Sequence, residues 1–137
     1  MNKISEINNF LTVFEQRSLL NFLKGPRLPW HFEQTDVLTS CLYEKNKHDF
    51  DDKKYNFDLL NMFQSKLKKL DGSNLYKIQS YICLPSLQEH FLSIEKNNYD
   101  LLLCYVRDNK TYKCENEHKI QLISRNVNFI IKVEYGK

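Results

Sequence analysis

The chain has 137 residues, 42% of them hydrophobic and 27% charged, with 3 Gly and 3 Pro; this fits one domain around one buried core and excludes a long flexible linker or low-complexity tail. A formal charge of +3 is too mild for the basic stripe of a dedicated DNA-binding domain. Residues 1–9 hold no signal-like apolar region, and no apolar run approaches the ~20 residues of a membrane span, so a reducing, cytoplasmic setting without a membrane partner is expected.

In chain order, residues 1–73 read as the helix-containing part of a single domain spanning 1–137, and residues 74–137 as its strand-rich part. Ile4 to Leu11 is a short strand-like lead-in. The spacing then predicts a helix over Val13–Lys24. Thr12 and Glu15 form a Thr-x-x-Glu capping box, which satisfies two backbone donors that no earlier turn can bond. Val13, Phe14, Leu19, Leu20 and Leu23 supply its apolar face. Gly25 suits the residue after a helix, and Pro26 stops continuation. Pro29 biases Leu28 to an extended backbone, and the lone tryptophan, Trp30, reads as a buried anchor. Val37 to Tyr43 is a strand. Lys45 to Lys54 is a polar loop in which Asp49, Asp51 and Asp52 offset the lysines. A second helix runs over Tyr55–Leu70, with Leu59, Leu60, Phe63, Leu67 and Leu70 at helical spacing. Lys66, Lys68 and Lys69 sit in its last turns, where the dipole favours cations. Asp71-Gly72-Ser73 ends it.

From Asn74 the period changes to two. Ile78, Ser80, Ile82 and Leu84 share one face of a strand, and Tyr81 and Cys83 the other. Further strands follow over Phe91–Ile94, Tyr99–Arg107, Thr111–Cys114, Lys119–Ile123 and Val127–Tyr135. Asp108-Asn109-Lys110 reads as a hairpin turn without the usual Gly. Short, regularly spaced strands point to a sandwich or jelly roll. The fold class is therefore α+β: two helices packed on an antiparallel β-sandwich that resembles an incomplete double-stranded β-helix. The strands fall short of the eight that close a jelly roll, so the Val127–Tyr135 strand is expected at an open edge, where a homodimer or an added strand could pair.

The order of parts resembles the 2-oxoglutarate/iron(II)-dependent oxygenases, in particular the small versions of phage genomes. The residues that carry the resemblance are Ile7 to Leu11 before the capped helix, Leu28-Pro29-Trp30-His31-Phe32 after it, and the strands at Leu75–Leu84, Tyr99–Val106 and Asn126–Ile131. In that family a His-x-Asp/Glu motif and a distant second histidine hold the iron and leave open positions for cosubstrate and oxygen. The matching stretch here is Glu89-His90-Phe91-Leu92. Leu92 stands where the carboxylate should be. The second histidine and the arginine that anchors the cosubstrate would follow the last strand, where the chain ends at Lys137. Arg125 precedes that strand and does not match. The resemblance thus implies a degenerate, C-terminally shortened relative, with His90 as its only vestigial ligand and no catalytic, cofactor or metal site. One imidazole does not hold iron against water and competing chelators.

No other constellation supplies chemistry. His31, His48, His90 and His118 are scattered, and His118 falls in a turn. Cys41, Cys83, Cys104 and Cys114 form no C-x-x-C pair, and Cys83 and Cys104 read as buried thiols. No nucleophile-base signature or Gly-rich phosphate loop is present. The aromatic fraction of 13% exceeds what one small core needs, and tyrosine combines contact area with a polar tip. Trp30, Tyr43, Tyr105, Tyr112 and Tyr135 are the candidate interaction residues. The expected function is that of a non-catalytic protein-binding pseudoenzyme, such as a phage inhibitor of a host defence protein of the anti-CRISPR kind. Two alternatives stay open: an oxygenase whose iron site a partner completes, and a nucleic-acid binder using Lys45, Lys47, Lys53, Lys54, Lys66, Lys68 and Lys69.

Overall fold

A computed structural model describes residues 4–25, 28–45, 58–70, 74–85, 91–94, 99–114, 118–121 and 126–136. Along the chain come β1 (Ile4–Ile7), α1 (Val13–Lys24), β2 (His31–Gln34), β3 (Val37–Glu44), α2 (Asp58–Lys68), β4 (Asn74–Cys83), β5 (Phe91–Ile94), β6 (Asp100–Tyr105), β7 (Lys110–Cys114), β8 (His118–Gln121) and β9 (Asn128–Gly136).

The capping box starts α1 as expected. Thr12 Oγ1 accepts from the Glu15 N–H at 3.1 Å, and Glu15 Oε1 accepts from the Thr12 N–H at 2.9 Å. Leu19 and Leu23 are buried. Val13 and Phe14 are not; they are 60% and 79% exposed. At ~100° of turn per residue, Phe14 lies about 140° round the helix from Leu19, outside its buried stripe. Gly25 closes the helix, as its place after Lys24 suggests. Its backbone is extended (φ −71°, ψ 163°), and its N–H donates to the Phe22 carbonyl at 3.1 Å. On α2, Phe63 and Leu67 are buried. Lys66 meets Glu15 at 2.7 Å, joining the two helices, and lies 5.8 Å from the centre of the Phe10 ring.

Seven strands form one antiparallel sheet in the order β1-β7-β6-β9-β4-β3-β2, and β5 pairs β8 as a separate ribbon. The fold is α+β with a sheet-rich core. The pairings β4·β9, β5·β8 and β6·β7 are nested, first strand with last and inward. β6 also lies against β9, so β9 has a neighbour on each side. The expectation that this strand forms an open edge is therefore wrong, and so is a homodimer built on it. Its near-continuous apolar run fits a central strand buried on both faces. His118 opens β8 opposite Ile94, which corrects its assignment to a turn. The β6–β7 hairpin turns at Asn109, whose φ of 52° is one that asparagine tolerates in place of glycine.

The sheet buries both faces. Its helix side packs Ile78, Leu102, Ile131, Val133 and Tyr135 against Leu19, Leu23, Phe63 and Leu67 of the helices. The other side packs Tyr81, Cys83, Leu101, Leu103 and Ile130 with Ile94 of the ribbon. At one corner the Tyr76 and Tyr99 rings stack at 4.0 Å with 23° between planes. Gly136 permits this, because a Cβ there would come within 3.0 Å of the Tyr76 ring. Among the described residues, no helix is long and apolar enough to cross a membrane.

Candidate functional site

The ribbon-facing side of the sheet combines polar and apolar chemistry. Alternation along β3, β4 and β9 brings every second side chain to this side. The register aligns Glu44, Lys77 and Glu134 in one row across the three strands, and Cys41, Gln79 and Lys132 in the next. The first row alternates negative, positive, negative, the favourable arrangement for directly opposed side chains. Lys132 Nζ lies 3.5 Å from Glu134 Oε1, with side chains only 12% and 9% exposed. Thr39 Oγ1 accepts from Gln79 Nε2 at 2.8 Å and donates to the Ser80 carbonyl at 3.0 Å. Two carboxylates and two ammonium groups thus cancel on this half of the face, leaving no net charge to draw in an ion.

The rows continue onto β6 as Leu101 and Leu103, both buried. Beyond them Tyr105 and Tyr112 meet edge to face, with ring centres 5.6 Å apart and planes at 84°. The buried thiols on this side are held in their protonated form. Burial pushes Cys83 and Cys114 up to about 11. Cys104, on the helix side, is pushed to about 12 by burial, against the opposing pull of a hydrogen bond with Thr111. Cys41 is exposed, yet desolvation still raises its thiol, with Lys77 pulling the other way. A raised thiol is a poor nucleophile and a poor metal ligand at neutral pH. Among the described residues, no three of His, Cys, Asp and Glu gather as a metal-holding group.

The residues singled out in the sequence do not converge. Trp30 and Tyr43 are half-buried and pack on the helix-side core. Tyr105 and Tyr112 pack on the opposite side. Tyr135 is wholly buried among the helix-side residues, so it cannot belong to an interaction surface. Its inward direction follows from β9 being central. His31 is exposed on β2. Glu89, His90, His48 and Arg125 lie outside the described residues, as do Pro26, 46–57 and 71–73; for Leu92 and His118 only the backbone is described. Of the lysines, Lys66 is occupied by Glu15 and Phe10, and Lys45 lies 5.1 Å from the centre of the Tyr76 ring. Lys68 and Lys69 are exposed, and Lys47, Lys53 and Lys54 lie outside the described residues.

Among the described residues the large exposed hydrophobic side chains are others: Phe14 at 79%, Phe32 at 78%, Val13 at 60% and, at 38%, Tyr99. Phe14 was readable from helix geometry, since its angle to Leu19 and Leu23 excludes it from the buried stripe. Phe32 gave no such signal, because four residues of one strand show no dependable alternation. Comparison with protein-family models, curated proteins and solved structures finds no match to the chain.

Proposed function

We propose that the chain is a non-catalytic binding protein on a shortened jelly-roll frame, a degenerate relative of the iron(II)/2-oxoglutarate oxygenases. The nested pairs β4·β9, β5·β8 and β6·β7, with β6 returning beside β9, support the frame. An eight-strand roll has one further nested pair. In this reading that pair would fall between β6 and β7, where this chain has the tight Val106–Asn109 turn.

One observation carries the non-catalytic part. A rolled ribbon encloses its ligand space between the sheet and the second layer. Here that side is filled by the chain's own Tyr81, Cys83, Leu101, Leu103, Ile130 and Ile94, and its cation Lys132 is already neutralised by Glu134. A bound carboxylate would have to displace Glu134 and expose a buried charge. Exposed Phe14 and Val13 supply instead the kind of apolar surface that a protein partner covers. Inhibition of a host defence protein is one form of this reading.

Calorimetric titration with iron(II) and 2-oxoglutarate tests it. No binding is expected at micromolar concentration. Saturable binding of both would establish the partner-independent enzyme instead. On the binding side, a protein captured by the wild-type chain should be released by Phe14→Asp, and retention of that protein would remove the surface named here.

A further inference from the structure

We propose that two copies of this chain associate through β2, antiparallel, about a twofold axis at Phe32. The pairing is independent of the binding role proposed above.

β2 is an outer strand of the sheet and is bonded to β3. His31, Phe32 and Glu33 are all exposed. The opposite outer strand behaves differently. On β1, Ser5 and Glu6 are exposed and polar, while Ile7 tucks against the helix-side core. Polar side chains are the usual protection of a sheet edge against pairing with another chain. β2 carries exposed polar residues too, His31 and Glu33, but sets between them a phenylalanine that is 78% exposed.

Symmetry fixes the register. With a twofold axis perpendicular to the sheet, directly opposed residues must share a face, so the axis has to pass through a residue and not between two. Of the four residues of β2, Gln34 is half-buried, which leaves three exposed centres. An axis at His31 would oppose Glu33 to Pro29, which has no N–H to give to a ladder. An axis at Glu33 would set two carboxylates face to face, which is destabilising. An axis at Phe32 opposes His31 of each copy to Glu33 of the other, twice, and sets the two Phe32 rings against each other on the helix side. Imidazole donates an N–H in either protonation state, and the carboxylate accepts it. The aromatic pair adds contact area beyond its burial. Trp30 lies two residues before Phe32, hence on the same side, next to the new contact. The register with β3 shifts between Phe32 and Gln34, and pairing resumes at Gln34 opposite Val37; this bulge at Glu33 limits the regular part of the edge to a short segment.

Sedimentation equilibrium of the full chain from micromolar to millimolar concentration tests the proposal, with Trp30 emission as a second readout. The wild type is expected to reach a dimer, with Trp30 emission changing over the same concentration range. Phe32→Asp and His31→Glu should each weaken association by about tenfold or more. The double variant His31→Glu/Glu33→Lys sets a carboxylate opposite an ammonium group at the same two positions, and it should recover to within a few-fold of wild type. All these positions are exposed, and unchanged circular dichroism would show that the variants fold. A wild-type chain that stays monomeric throughout overturns the proposal, and in that case the edge serves a strand of another protein or none. Association unaffected by Phe32→Asp, or not restored by the double variant, overturns it equally.

Discussion

The two faces of the seven-stranded sheet are built from the same strands but differ in kind. The helix side is largely apolar, with Leu102, Ile131, Val133 and Ile78 under Phe63 and the α1 leucines, broken by the buried pair Ser80 and Ser40 on β4 and β3. The ribbon side is apolar over β6 and β7 but carries the Glu44–Lys77–Glu134 and Cys41–Gln79–Lys132 rows over β3, β4 and β9. Apolar packing is non-directional and is limited by area and cavity volume. A charged row stabilises only while every member keeps its partner. The helix side should therefore respond to changes in volume, and the ribbon side to unpaired charge.

The largest effect should come from alkali, because it acts on both faces together. Cys83, Cys114 and Tyr105 on the ribbon side and Cys104 and Tyr135 on the helix side are all raised, first by burial, to between about 11 and about 12. Each group is neutral when protonated, and its folded value lies above its unfolded one. Its contribution is thus fully present below the ordinary values of 9.0 and 10.0 and is lost as pH rises through 11 to 12. Urea midpoints should be level up to pH 8 and fall steeply above pH 10. A flat profile to pH 12 would show these groups to be solvated.

Next in size, Phe63→Ala should cost about 4 kcal/mol in urea unfolding, the usual range for emptying a buried phenylalanine site. Glu134→Leu should cost about 3 kcal/mol because Lys132 is left buried and unpaired; adding Lys132→Met should restore most of it. If the single and double variants are equally unstable, the two faces do not differ in the way described. The smallest effect has the opposite sign. The Tyr135 hydroxyl is buried without a hydrogen-bond partner, so Tyr135→Phe should raise stability by about 1 kcal/mol.

Local rules made much of the fold legible. The capping box at Thr12 and Glu15 placed α1, and the alternation Ile78, Ser80, Ile82 against Tyr81, Cys83 assigned both faces of β4. Asn109 marked its turn without a glycine. What stayed hidden was long-range. The apolar run of β9 was a local sign of a central strand, but the strand count of an incomplete roll outweighed it, so β9 was misplaced and Tyr135 with it. β2 was missed because four residues after a proline show no period. The charged rows were hidden for a related reason: the spacing of Lys77, Lys132 and Glu134 gives no sign of a partner until strand order sets them side by side.

Gly136 gives one corner of the sheet a distinctive behaviour. With no side chain there, Tyr76 from beside β9 and Tyr99 at the start of β6 close over the strand and lean on one another. The ring pair therefore ties β4 to the segment that enters β6 across the end of β9, and a side chain at position 136 would have to push the Tyr76 ring aside to fit.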